Sequence, residues 1–114
     1  MTLPPRITKP KKRDSRWRSQ VHRNFVRSHA CSACHSTTVI EVAHVRIGSG
    51  AGMGEKPDDW NTVSLCKKCH ERQHSIGERT FWDSRNVEKL IEAFCNASPK
   101  RYEIVQKKLE AENG

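Results

Sequence analysis

The stretch Val63 to His74, VSLCKKCHERQH, decides how the rest of the chain is read. A short apolar run, Val63 to Leu65, leads into Cys66-x2-Cys69; His70 follows the second cysteine directly and His74 comes four residues later. Two thiolates two residues apart can face one tetrahedral ion at about 2.3 Å, and a second pair of the same spacing, Cys31-x2-Cys34, lies upstream. Together the four cysteines predict a closed structural zinc site. Its shell is filled by thiolates, so it leaves no coordination position for a substrate. The two histidines then remain for other work. At i and i+4 of a helix they lie on one face, where both rings can reach a separate ion.

The chain gives other reasons to expect a metal. It has 114 residues, of which 34% are hydrophobic and 30% charged. That length fits one small domain with tails, and burial alone would leave it marginal without a staple. The fifth cysteine, Cys95, sits in an apolar helical stretch and reads as a buried, inert thiol. An odd cysteine count with four in CxxC pairs does not suit a secreted disulfide framework. The opening MTLPPRITKPKKR has no apolar leader segment, and no run approaches the roughly 18 apolar residues of a membrane span. A cytoplasmic protein with no membrane partner is expected.

Charge is concentrated at one end. Residues 1–30 hold nine Lys/Arg against Asp14 alone, so the whole formal charge of +8 lies there; the remainder carries twelve residues of each sign. Such an arm suits contact with a phosphate backbone, where each cation releases condensed counterions. Residues 1–13, with Pro4, Pro5 and Pro10, read as a disordered basic tail. From Asp14 the spacing of Trp17, Val21 and Phe25, with Val26 as a further apolar position, predicts an amphipathic helix capped by Asp14 or Ser15, apolar on one face and basic on the other.

Downstream, CSACH should form a tight knuckle, and TTVIEVAHV is β-branched enough for a strand. RIGSGAGMGEKPDDW, with Gly48, Gly50, Gly52 and Gly54, is a long loop of the kind that tends to be functional or mobile. NTVSL returns as a strand, and the helix anchored by the second CxxC follows. Helical patterns resume at ERTFWDS and at NVEKLIEAFCNAS, where Val87, Leu90, Ile91 and Phe94 share a face. Pro99 interrupts, and KRYEIVQKKLEAENG continues with Tyr102, Val105 and Leu109 as its apolar positions. Trp60 and Trp82 read as packing residues, with Trp82 and Phe81 closing the His70 helix against the next one.

If the two strands form a hairpin packed on the helix from Cys66, then His44, at the end of the first strand, and Asn61, at the start of the second, meet His70 and His74 in one cleft. The order Cys31-x2-Cys34, strand, His44, Gly-rich loop, Asn61, LCKKCH, His74 resembles the HNH endonuclease family, and Asn61 to His74 follows its N-x4-C-x2-C-H-x3-H pattern. More narrowly, the stretch from Ala43 to Trp82 is similar to phage and prophage HNH proteins of the recombination-enhancement (Ref-like) kind.

The resemblance implies an α+β fold: a small zinc-stabilised, treble-clef-like ββα-metal core with flanking helices. Its nuclease domain would occupy residues 14–82, followed by a C-terminal helical extension over residues 83–114. It implies an endonuclease that hydrolyses DNA phosphodiester bonds, by nicking or by cutting both strands. His44 is then the general base, and Asn61 fixes the active-site loop or binds metal. His70 and His74 hold a catalytic divalent ion, Mg²⁺, Mn²⁺ or Zn²⁺, beside the structural Zn²⁺ on the four cysteines. DNA would be the partner, with recombination or packaging proteins of a phage as further partners; oligomeric state is not read from sequence.

One position departs from the pattern. Where many HNH proteins carry Asp or His before the base, this chain has Ala43. Glu41 is two residues away from that position and is read at most as a group behind the ligands. Ala43 keeps open an alternative: a zinc-stabilised DNA-binding or recombination accessory protein with a degenerate site. Arg46, Lys56, Lys67 and Arg72 near the cleft, and Arg16, Arg18 and Arg23 of the N-terminal helix, are the candidates for phosphate contact.

Overall fold

The computed structural model describes residues 2–6, 16–51 and 54–113. Asp14 and Ser15, expected to cap the first helix, lie outside the described residues, as does most of the expected basic tail. The elements run α1 (Gln20–Arg27), β1 (Ile40–His44), β2 (Thr62–Cys66), α2 (Lys67–Ile76), α3 (Glu78–Trp82), α4 (Val87–Ala97) and α5 (Arg101–Asn113). The class is α+β, as expected. No helix among the described residues is long and apolar enough to cross a membrane.

The sheet has two strands. β1 and β2 pair antiparallel, with Ile40 opposite Cys66, Val42 opposite Ser64 and His44 opposite Thr62. Alternation along a strand puts Ile40, Val42, His44, Thr62, Ser64 and Cys66 on one face, and Glu41, Ala43, Val63 and Leu65 on the other. The first face meets the segment around α1: Ser64 Oγ donates to Ala30 O (2.7 Å), and Ser32 N donates to Ser64 O (2.8 Å). On the second face Ala43, Val63 and Leu65 are fully buried. Both faces being covered explains why every residue of β2 is buried although two of them are Thr62 and Ser64.

α1 starts later than the apolar spacing suggests. Its N-cap is Ser19, whose hydroxyl accepts from His22 N at 3.1 Å, a regular first-turn cap. Trp17 therefore precedes the helix and stacks on Trp60 with ring centroids 5.5 Å apart. Val21 is exposed, and the inward face carries His22 and Val26, with Phe25 beside them. A one-residue rotation of the stripe was enough to replace a valine with a histidine.

The C-terminal helices close the core. In α4, Val87, Ile91, Phe94 and Cys95 are buried, and Phe94 meets Phe25 of α1 edge to face at 6.4 Å. Trp82 Nε1 donates to Gln73 Oε1 at 2.7 Å, joining α3 to α2 through two buried groups. Cys95 is buried with its Sγ on Trp60 O (3.2 Å), and burial raises its pKa. In α5 the expected face is reversed: Tyr102, Val105 and Leu109 are exposed and Ile104 alone is buried. Ile104 in the first turn and Lys108 one turn later, its ammonium 5.7 Å from the centre of the Trp60 ring, hold α5 to the core.

Candidate functional site

The four-thiol centre forms where the turn after α1 meets the β2–α2 junction. Cys31 N donates to Ser36 O (2.8 Å) and His35 N to Cys31 O (2.9 Å), with His35 in the left-handed region at φ 64°. That closed turn aims Cys31 and Cys34 at one point. Cys66 ends β2 and is the N-cap of α2, and Cys69 stands in the first turn of that helix. The four sulphurs lie within 4.8 Å of one another, and Cys34 Sγ is 3.7 Å from Cys66 Sγ. A tetrahedral ion bonded at about 2.3 Å spaces its sulphurs by about 3.8 Å, so the set fits a structural metal such as zinc.

Without a cation among them, the thiols hold their protons unequally. Burial opposes ionisation of Cys31, but backbone N–H groups of Cys66, Cys34 and Ala33 outweigh it and bring the thiol down to about 6. Cys69 goes the other way, pushed up by burial and then by the neighbouring Cys66, Cys31 and Cys34 thiols. Four sulphurs this close cannot all ionise unless a positive charge sits between them. Among the described residues this is the one group of three or more His, Cys, Asp or Glu side chains whose donor atoms converge so closely.

His44 ends β1 with its side chain mostly covered, and its Nε2 lies 2.8 Å from Asp59 Oδ1. Asp59 is fully buried. Its carboxylate also accepts Ser19 N (2.8 Å) and faces Arg18 Nη1 (3.4 Å) and Arg23 Nε (3.5 Å). Burial works against this charge, yet the His44 hydrogen bond, the Ser19 N–H and the Arg23 charge together hold Asp59 below the usual carboxylate range. Asn61, two residues on, is buried; its Nδ2 donates to Val45 O and to Ile47 O (3.3 Å), while Val45 N donates to Asn61 O (2.9 Å). Asn61 thus pins the segment just after β1. From the other side Glu78 accepts Arg46 N (2.9 Å) and Ile47 N (3.1 Å).

The helix histidines stand on the opposite side of the hairpin. His70 Nδ1 is 2.9 Å from Glu41 Oε1, and the His70 and His74 rings lie side by side with centroids 4.9 Å apart. Glu41 and His44 are three residues apart on β1, so they project to opposite faces. The single cleft expected for His44, Asn61, His70 and His74 is therefore divided: His44 and Asp59 face the α1 segment, whereas His70 and Glu41 share the face that α2 covers. Ala43, the departing position, points to the α2 face and is fully buried.

The basic candidates also divide. Arg46, Lys56, Lys67 and Arg72 are exposed. Arg16 is spent on Glu55 (2.8 Å), Asp58 (3.3 Å) and Gly50 O (3.4 Å). Arg18 donates to Pro57 O and Lys56 O (3.0 Å), and Arg23 lies between Gln20 Oε1 (2.7 Å) and Asp59. These three arginines clamp the end of the long loop to the start of α1. A pocket of about 270 Å³ between Ile47, Arg79, Trp82 and Glu88 is lined by none of the candidate histidines or cysteines.

Asp59 and Glu78 were not among the residues singled out from sequence. The acidic pair Asp58–Asp59, set between Pro57 and the Trp60–Asn61 start of the returning strand, was the signal available for the first. Among known protein families, one described as "Protein of unknown function (DUF968)" matches residues 4–98 of the chain. No curated protein and no solved structure matches it.

Proposed function

The chain belongs to this DUF968 family, and we propose that it is a zinc-stabilised HNH-type endonuclease hydrolysing DNA phosphodiester bonds. The observation that carries this reading is the β1–β2–α2 unit: an antiparallel pair running straight into a helix, locked at the junction by four thiols, with His44 ending the first strand and His70 beside His74 on the helix. In this reading the unit is a treble-clef-like ββα-metal core. His44 takes the proton of the attacking water. His70 and His74 would hold a divalent ion, whose chemistry is to neutralise charge on the departing oxygen. Lys67 and Arg72, exposed on α2, contact the DNA backbone without reading its sequence.

A binding module is the second reading, and two observations favour it. Ala43 is fully buried where a ligand would stand, and among the described residues His70 and His74 do not converge with a third donor to within 4.8 Å of one another, although Glu41 lies beside His70. Zinc-loaded protein incubated with supercoiled plasmid and Mg²⁺ or Mn²⁺ separates the two. The nuclease reading expects nicked or linear product and a loss of roughly 10²- to 10⁴-fold in His44→Ala. Cleavage that survives this substitution refutes the base assignment. No cleavage with either ion, together with a retained gel shift of the DNA, replaces the enzyme by the binding module.

A further inference from the structure

We infer that Asp59 is the positioning residue of His44, holding its Nε2–H and turning Nδ1 to the solvent as the nitrogen that accepts the proton of water. The inference rests on the nuclease reading for its consequence, and on the structure for its geometry. A carboxylate only accepts hydrogen bonds, so a ring nitrogen 2.8 Å from Asp59 Oδ1 carries the proton. In the neutral ring the other nitrogen is then the bare one. Among the described residues His44 Nδ1 has no hydrogen-bond partner, and it is not among the buried side-chain atoms left unpaired, so it reaches water.

Asp59 is itself over-determined. Ser19 N–H holds Oδ2, and Arg18 and Arg23 bring positive charge to the same buried carboxylate. Thr62 Oγ1 donates to Asp59 O (2.7 Å), and Asp59 N donates to Trp17 O (2.9 Å), so the backbone of this residue is fixed on both sides. Arg18, Ser19 and Arg23 thereby support the site although none of them touches the reacting atoms. The charged groups facing the His44–Asp59 pair are Arg18, from the segment before α1, and Arg23, from α1. A purely structural role, in which Asp59 only fastens α1 to the loop, is already represented by its neighbour: Asp58 accepts Trp17 N (2.6 Å) and Arg16 but has no contact with His44.

The test uses zinc-loaded full-length protein labelled with ¹⁵N. Long-range ¹H–¹⁵N correlation of the neutral His44 ring is expected to show the Nε2–H tautomer. Asp59→Asn is expected to change it, and Asp58→Asn to leave it alone, while both variants keep a cooperative thermal transition. In plasmid cleavage, Asp59→Asn is expected to lower the rate by roughly 10²- to 10⁴-fold, with Asp58→Asn close to wild type. An Nδ1–H tautomer in the wild type, or a tautomer unchanged in Asp59→Asn, overturns the inference. Absence of cleavage by the wild type refutes the nuclease reading, and the spectrum alone then decides what Asp59 does.

Discussion

His22 should make the fold acid-sensitive by an amount that follows from its surroundings. The ring is fully buried in α1, 5.7 Å from Trp17 between centroids, with Nδ1 2.8 Å from Ser98 Oγ and Nε2 unpartnered. Burial is the main reason its pKa falls from 6.5 to about 4; the Asp59 charge raises it and the Lys108 charge lowers it further. Because the folded value lies below the unfolded one, the stabilising contribution is complete above about pH 6.5 and is lost as the pH falls toward 4. At about 1.4 kcal/mol per unit, the loss is about 2 kcal/mol by pH 5 and about 3 kcal/mol below pH 4. Urea unfolding of zinc-loaded wild type and His22→Gln from pH 7 to pH 5 measures it, because thiol and carboxylate titrations are common to both and cancel. The wild type should lose about 2 kcal/mol more than the variant across that range. Parallel curves would refute the assignment of a neutral, buried His22.

Other substitutions test the remaining contacts. Cys66→Ser removes one of the four thiols, and metal analysis should fall from one tightly held zinc per chain to none, with loss of the cooperative transition. Trp82→Phe leaves the buried Gln73 Oε1 without its donor and should cost about 1–3 kcal/mol in thermal or denaturant unfolding. In α5, Ile104→Ala should cost about 2–4 kcal/mol, whereas Val105→Ser, on the exposed side, should stay within about 0.5 kcal/mol. A large penalty at Val105 would mean that something covers this face in solution.

Much of the hairpin and the thiol centre was legible because their rules are local. A CxxC pair fixes two ligands within one turn, β-branched runs flanking a Gly-rich loop give two strands, and the i, i+4 spacing of His70 and His74 gives a shared helix face. Where the reading failed, the deciding interaction was distant in sequence or depended on helix rotation. The apolar positions of α1 and α5 fit more than one stripe, and packing selected His22 over Val21 and Ile104 over Tyr102, Val105 and Leu109. Arg16, Arg18 and Arg23 looked like a basic face for phosphate. Their guanidinium groups also meet Glu55, Asp58 and Asp59 about 40 positions away, which spacing along the helix could not show.

By itself, then, the sequence determined that this chain has four cysteines able to gather one metal, two strands, the first ending in His44 and the second directly preceded by Asn61, and a helix to carry His70 and His74. Only the tertiary structure decided which groups meet. Strand alternation divided His44 from the helix histidines, and closure of the loop between β1 and β2 brought Asp59 to His44 Nε2. The physical reason is that spacing sets which way a side chain leaves its own element. Its partner is set by how separate elements bury their surfaces against one another.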